Sequence, residues 1–298
     1  MTQLKESAKT VLIDSHCHLH DREFYSAKKA EACLKRADEK NVKKIVCIGT
    51  SHEDSLAAAK FAAQHKNVYW TYGIHPEEAG VAEKSFSRDN FRLDRSRRIF
   101  LTDPTGSSRR DGSAGVPVYD VESGLTGPEK RLSDKTSAPV AIGEVGLDYH
   151  YDDFDSKAQI RLFEQMLQLA KDNDLPLSFH VRSAFPDFFA VIQNFPEARG
   201  VVHSFTGSKK ILNRILEQTD FYIGVNGLAT YSTLPMPPLE RILLETDAPF
   251  LAPKPVRGET NEPSHIFEIA EWLADALDLD FKVVEKTTTE NVKKLFKI

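Results

Sequence analysis

Five of the ten histidines, His16, His18, His75, His180 and His203, share one setting: each closes, or lies just beyond, a short run of apolar and β-branched residues. One such histidine is more often structural than a ligand, but five in the same setting point to metal chemistry. His16 and His18 form a His-x-His pair. On an extended backbone, residues two apart point to the same face, so the pair can grip one ion. His180 ends the run LPLSFH and His203 ends GVVH, which makes both candidates for a second ion.

A cluster made only of neutral imidazoles would leave the charge of a divalent ion poorly compensated, so carboxylates are expected beside them. Glu144, in AIGEVGLDY, is an acid in an otherwise apolar run, and Asp247 ends RILLETDAPF in the same way. Burying a lone carboxylate costs several kcal/mol unless it is paired or metal-bound, which favours ligation. The two oxygens of Glu144 could bridge two ions, and Asp247 is the candidate ligand and proton acceptor. Glu245 is left with two readings, a group that orients a ligand or a structural salt-bridge partner, and Asp14 is a buried cap or a residue that orients His16.

Positioning these residues requires a scaffold that gathers strand ends. Eight apolar runs, at 11–16, 44–49, 68–74, 140–145, 177–181, 201–205, 221–225 and 241–245, read as strands. Segments with three- and four-residue apolar spacing follow most of them, at 51–65, 157–173, 184–195, 209–218 and 264–277. Alternation of this kind predicts an α/β fold, a (β/α)8 TIM-type barrel, in which the site is built at the carboxyl ends of the strands. The whole chain, 1–298, is expected to be one such barrel. Two places break the rhythm. Residues 81–139 carry no sustained periodicity and include Arg88, Arg92, Arg95, Arg97, Arg98, Arg109 and Arg110, so they read as a long inserted loop after the third strand. Near the other end, Leu234-Pro-Met-Pro-Pro238 leaves no room for a helix between the last two strands.

Composition narrows the rest. With 41% hydrophobic residues the chain can bury a full core. A formal charge of −5 gives no global attraction to nucleic acid, so a polyanion would be met by ions and local arginines. No run of about 18 apolar residues occurs, so no membrane span is expected, and the polar start MTQLKESAKT does not read as a secretory signal. Three cysteines without framework spacing suit a reducing cytoplasm. No stable protein partner is evident, nor is an aromatic–basic platform for stacked bases.

The segments LIDSHCHL, YGIHPEEA, AIGEVGLDYH, LPLSFHVRSA, GVVHSFTGS, LLETDAPFLAP and RGETNEP, spread from residue 12 to 263, resemble in order and content the TatD-like metal-dependent deoxyribonucleases of the amidohydrolase superfamily. The resemblance implies a deoxyribonuclease, exonucleolytic in action, that hydrolyses DNA or another phosphodiester with two divalent ions (Zn, Mn or Mg) and an activated water. Its implied ligands are His16, His18, Glu144, His180, His203 and Asp247, with Asp247 and Glu144 catalytic. It further implies substrate contacts by His75, Arg182, Arg257 and Asn261. The chain departs from the family pattern in the long 81–139 segment and in the shortened stretch before ERILLETD, neither of which removes a proposed ligand. An amidohydrolase acting on a small amide, lactone or ester is the first rival. Many such sites use a carboxylated lysine on the fourth strand, where this chain has Glu144. A non-catalytic metal-binding interaction protein is the second rival, and the complete ligand set argues against it.

Overall fold

The computed structural model describes residues 11–80, 82, 91–93, 99–102, 118–120 and 138–298. In chain order its elements begin with β1 (Leu12–Cys17), α1 (Ala27–Glu39), β2 (Val42–Cys47), α2 (His52–Gln64) and β3 (Val68–Tyr72). Three short strands follow, β4 (Phe91–Leu93), β5 (Ile99–Thr102) and β6 (Val118–Asp120). Next come β7 (Ala141–Asp148), α3 (Ser156–Asp172), β8 (Leu177–Arg182), α4 (Phe185–Ile192), β9 (Gly200–Val202) and α5 (Lys209–Gln218). The chain closes with β10 (Tyr222–Val225), β11 (Ile242–Leu244), α6 (Ile266–Leu277) and α7 (Phe281–Phe296). Leaving β4 to β6 aside, the described strands number eight, and the fold class is the expected (β/α)8 barrel.

The described residues fall into two compact units, one of residues up to Ile45 with His203–Ile298, the other spanning Val46–Val202. In the Val46–Val202 unit, β3, β7, β8 and β9 pair in parallel, with Tyr72 opposite Ile142, Gly146 opposite His180 and Leu177 opposite Gly200. Helices cover this sheet because their starts are capped and one face is apolar. Ser51 accepts from the Asp54 amide at the head of α2, and Asp155 accepts from the Ala158 amide at the head of α3. The α3 face that includes Leu162, Phe163 and Met166 is buried, and Phe163 packs against Phe179 of β8 and Phe188 of α4 at ring separations of 6.0 and 5.9 Å. Each such buried aromatic ring contributes roughly 1.5–3 kcal/mol.

In the other unit β10 pairs in parallel with β11, Val225 opposite Leu244, and Ser15 of β1 donates its hydroxyl to the Leu244 carbonyl at 2.8 Å. The α7 helix locks this edge, Asn291 donating to the carbonyls of Leu239 and Ile242 at 3.0 and 2.8 Å. Between β10 and β11 run only two tight turns, Gly227–Thr230 and Leu239–Arg241, so the helix is absent where the prolines exclude it.

Within the 81–139 segment, β4, β5 and β6 form an antiparallel sheet with Phe91 opposite Leu101 and Phe100 opposite Asp120. Strands of three or four residues are too short to leave a legible alternation, which is why the sequence reads there as loop alone. Apart from residues 82, 138 and 139, the rest of that segment, with Arg88, Arg95, Arg97, Arg98, Arg109 and Arg110, lies outside the described residues. Among the described residues no helix is long and apolar enough to cross a membrane, and Cys17, Cys33 and Cys47 are buried.

Candidate metal centre

The unit containing β1 assembles His16, His18, His203 and Asp247. His16 closes β1, and the backbone beyond it is stitched to the segment after β11: the Asp247 amide donates to the His16 carbonyl at 2.8 Å, and the His18 amide to the Ala248 carbonyl at 2.7 Å. That pairing brings Nε2 of both His16 and His18 to 3.5 Å from a single oxygen, Oδ1 of Asp247. The His203 ring stacks on His16 at 4.0 Å with the planes 9° apart. All four side chains are buried or nearly so.

Asp247 sits in the left-handed region at φ 57°, and its setting is fixed by its neighbours. Asp14, wholly buried, accepts from the Thr246 hydroxyl at 2.6 Å, from the Thr246 amide at 2.9 Å and from the His16 amide at 3.3 Å, so one carboxylate ties the two ligand-bearing segments together. Burial pushes the Asp14 carboxyl up to about 8, against the pull of those three bonds. Burial also acts to raise Asp247. There the hydrogen bond from His18 and the charges of His16, His203 and His18 outweigh it, so its carboxyl lies below the usual range.

Glu245, left with two readings from sequence, is completely buried. Its Oε1 accepts from the Ser204 amide at 2.6 Å and lies 3.7 Å from His203 Nδ1, and among the described residues Oε2 has no hydrogen-bond partner. A Cβ at position 224 would fall 2.4 Å from that Oε2, so glycine there makes the room Glu245 occupies. The geometry favours the orienting reading, with Glu245 behind His203.

The Val46–Val202 unit assembles Glu144, His180 and His75. Nδ1 of His180 is 2.7 Å from Glu144 Oε1, and its Nε2 is 2.9 Å from Asp148 Oδ2. His75 follows β3, where its Nδ1 accepts from the Glu77 amide at 3.3 Å, and its Nε2 lies 3.6 Å from the same Glu144 oxygen. Close approach of β7 and β8 depends on Gly146, at φ 147°, because a Cβ there would sit 2.0 Å from the His180 carbonyl oxygen.

Asp148 is the residue that sequence reading missed. It is anchored by the Gln159 side chain of α3, which accepts from the Asp148 amide at 2.8 Å and donates to its carbonyl at 2.9 Å, while Oδ1 accepts from the His150 amide at 2.9 Å. Burial raises the Asp148 carboxyl, but the bonds from His180 and His150 and the charges of His180 and Arg182 outweigh it and hold it below the usual range. The expected strand stopped at 145, whereas β7 runs on to Asp148. Acids four apart in one strand project to one face, and the Glu144/Asp148 spacing was the available signal.

Of the expected substrate contacts, Arg182 and Arg257 are exposed, each with its guanidinium 5.6 Å from the centre of a tyrosine ring, Tyr151 and Tyr231 respectively. Asn261 lies deeper in the fold. It is wholly buried, its amide donates to the carbonyls of Thr246 and Phe250 at 2.8 and 2.6 Å, and its oxygen accepts from the Glu262 amide at 2.9 Å with His265 Nδ1 at the same distance. A side chain so engaged holds the segment bearing Asp247.

The donor sets suit a divalent ion. Mixed imidazole and carboxylate ligation is that of Zn, Mn and related ions. His16, His18 and Asp247 converge as one trio, and His75, Asp148 and His180 as another. His180 adds a test by charge: a neutral imidazole carries one N–H, so it can donate to only one of the two carboxylates beside it, and the other contact calls for a second proton or a cation.

Imidazole and carboxylate clusters at strand ends of a (β/α)8 barrel define a metal-dependent hydrolase. The chain belongs to the TatD related DNase family, whose model matches residues 13–297. Among similar proteins, the uncharacterized metal-dependent hydrolase YabD of Bacillus subtilis is 29% identical, covering 97% of this chain and 100% of that protein. The 3'-5' ssDNA/RNA exonuclease TatD of Pantoea ananatis is 28% identical, covering 96% of this chain and 99% of its own. The crystal structure of YJJV, a TatD homolog from Escherichia coli K12, superposes with a TM-score of 0.72 at 25% identity, covering 96% of this chain and 98% of the other.

Proposed function

We propose that the protein is a nuclease that hydrolyses phosphodiester bonds of nucleic acid, acting from strand ends, with two divalent ions held by His16, His18, Glu144, His180, His203 and Asp247. The observation that carries this reading is the convergence of two imidazole nitrogens on one oxygen of Asp247 at 3.5 Å, where those imidazoles hold the buried carboxyl below the usual range. Ions bound there supply Lewis acidity toward the phosphoryl group and lower the pKa of an attacking water. Asp247 would orient that water and receive its proton, and Glu144, beside His180, would serve as a carboxylate ligand. Arg182 and Arg257, exposed and backed by tyrosine rings, bind phosphate oxygens in forked geometry. His75, beside Glu144, donates to a substrate oxygen. The exonuclease name of the Pantoea ananatis relative supports the choice of nucleic acid and of end-directed cleavage.

The test is turnover of the metal-reconstituted protein on single-stranded DNA, on RNA and on a small phosphodiester, with a chelated control and the variant Asp247→Asn. Expected are metal-dependent cleavage of at least one polynucleotide and a fall of at least about 100-fold in the variant, the scale of losing a general base. Hydrolysis of small amides or lactones without any phosphodiester cleavage would overturn the proposal, as would undiminished turnover by Asp247→Asn.

A further inference from the structure

The segment from Asp247 to Arg257 carries more than a metal ligand. Three residues past Asp247, the Phe250 amide donates to the Asp247 carbonyl at 2.9 Å, fixing a tight turn that sets the Phe250 ring beside the histidines, 6.4 Å from the His18 ring. Phe250 is 48% exposed, and Phe24, 41% exposed, meets it edge to face at 5.4 Å. Further along, Tyr231 donates its hydroxyl to the Ala252 carbonyl at 2.9 Å, and its ring, 40% exposed, lies under the Arg257 guanidinium.

Single exposed apolar side chains are ordinary on protein surfaces and call for no explanation. Here two phenyl rings are packed on each other next to the His18 and Asp247 cluster, and a tyrosine–arginine pair is pinned to the same segment. Rings held in place with half their surface in water, next to a fixed cation, are what unpaired bases and their phosphates need: every base has a face to stack, and the guanidinium takes the backbone. A stacked double helix offers no base faces to such rings.

We propose that Phe24 and Phe250 form a stacking platform for an unpaired nucleobase, with the strand continuing toward Tyr231 and Arg257. The sequence conceals this platform, because Phe24 and Phe250 are 226 positions apart and neither lies in a basic run. The inference rests on the nuclease reading for the identity of the strand, but it concerns binding, which can be measured with hydrolysis switched off.

The experiment is fluorescence anisotropy of a labelled single-stranded oligonucleotide with the full chain in chelator, against an abasic oligomer of the same length and charge. The proteins compared are the wild type, Phe24→Ala, Phe250→Ala and Phe250→Trp. Expected is tighter binding of the oligonucleotide than of the abasic strand, a loss of about 5- to 100-fold for either alanine variant on the oligonucleotide alone, and retention by Phe250→Trp. Equal wild-type binding of the two strands would overturn the platform, as would alanine variants that weaken both strands alike or a tryptophan variant as weak as the alanine. A change from dimer to monomer in the alanine variants by sedimentation, without change in oligonucleotide affinity, would assign the rings to self-association and also overturn it. None of these results depends on turnover, so they stand apart from the test of the nuclease itself.

Discussion

Replacing Thr246 by valine removes one hydroxyl from the junction that sets Asp247, and its cost can be worked from the geometry. The hydroxyl donates to the buried Asp14 carboxylate at 2.6 Å and accepts from the Ala248 amide at 3.2 Å. Valine keeps the shape and leaves both partners without that bond. With its carboxyl pushed up to about 8, Asp14 is largely neutral near pH 7, so its bond is worth about 0.5–1.5 kcal/mol and the long amide bond about 0.5 kcal/mol, for a total of about 1–2 kcal/mol. With an unfolding entropy of about 2 cal/mol/K per residue over 298 residues, that loss lowers Tm by roughly 2–3 °C. Because Thr246 precedes Asp247 and Asp14 also holds the His16 amide, metal affinity of the His16, His18 and Asp247 trio should fall as well. Calorimetry with and without metal, on Thr246→Val and Thr246→Ser, separates the terms. The serine variant retains the hydroxyl and should melt near the wild type. A valine variant with wild-type Tm and metal affinity, or a serine variant as damaged as the valine, would refute the reasoning.

Asp148→Asn should weaken metal binding by roughly 10–100-fold, the scale for losing the partner that orients a ligating imidazole, while Asp14, far along the chain, keeps its own bonds. Isothermal titration of the purified variant checks this, and wild-type affinity would leave Asp148 a purely structural role. A second variant concerns pH. Burial acts to raise the Glu262 carboxyl, but bonds from Arg36, Ser264 and Cys33 and the charge of Arg36 hold it down at about 2, against 4.5 in the unfolded chain. A depressed folded pKa gives stability that is complete above 4.5 and is lost as pH falls through about 2. With the half-exposed Arg36 discounted for solvent screening, that stability is about 1–2 kcal/mol. The stability gap between wild type and Glu262→Gln should therefore be constant from pH 7 to 5 and narrow between 4.5 and 2, and a gap that stays constant to pH 2.5 contradicts the assignment. Finally, replacing residues 87–135 by a short Gly/Ser linker should leave metal content and small-ester hydrolysis intact, since loop length carries little entropic cost. The salt slope of polynucleotide binding should fall, because the arginines of that segment are removed, and an identical slope would make the segment a bystander.

The sequence by itself determined the barrel class and the six ligand candidates. Both rest on local pattern: β-branched runs alternate with helical spacing, and imidazoles or acids close the runs, so each strand announces its own terminal residue. The missing helix before β11 was legible for the same reason, since three prolines in five residues forbid it locally. Tertiary structure alone decided which partner stands behind each ligand. Asp14 and Thr246 are 232 positions apart and meet only because β1 lies alongside the segment after β11. Asp148 faces His180 through the register of β7 and β8, which no property of either segment alone specifies. Asn261 carries the motif of a substrate contact, yet its amide closes on carbonyls within the fold. Phe24 and Phe250 look in sequence like two unrelated apolar residues. Spacing along the chain encodes which way a side chain points from its own element. What it then touches depends on the distant backbone that folding brings opposite, and that is set by the packing of the whole chain.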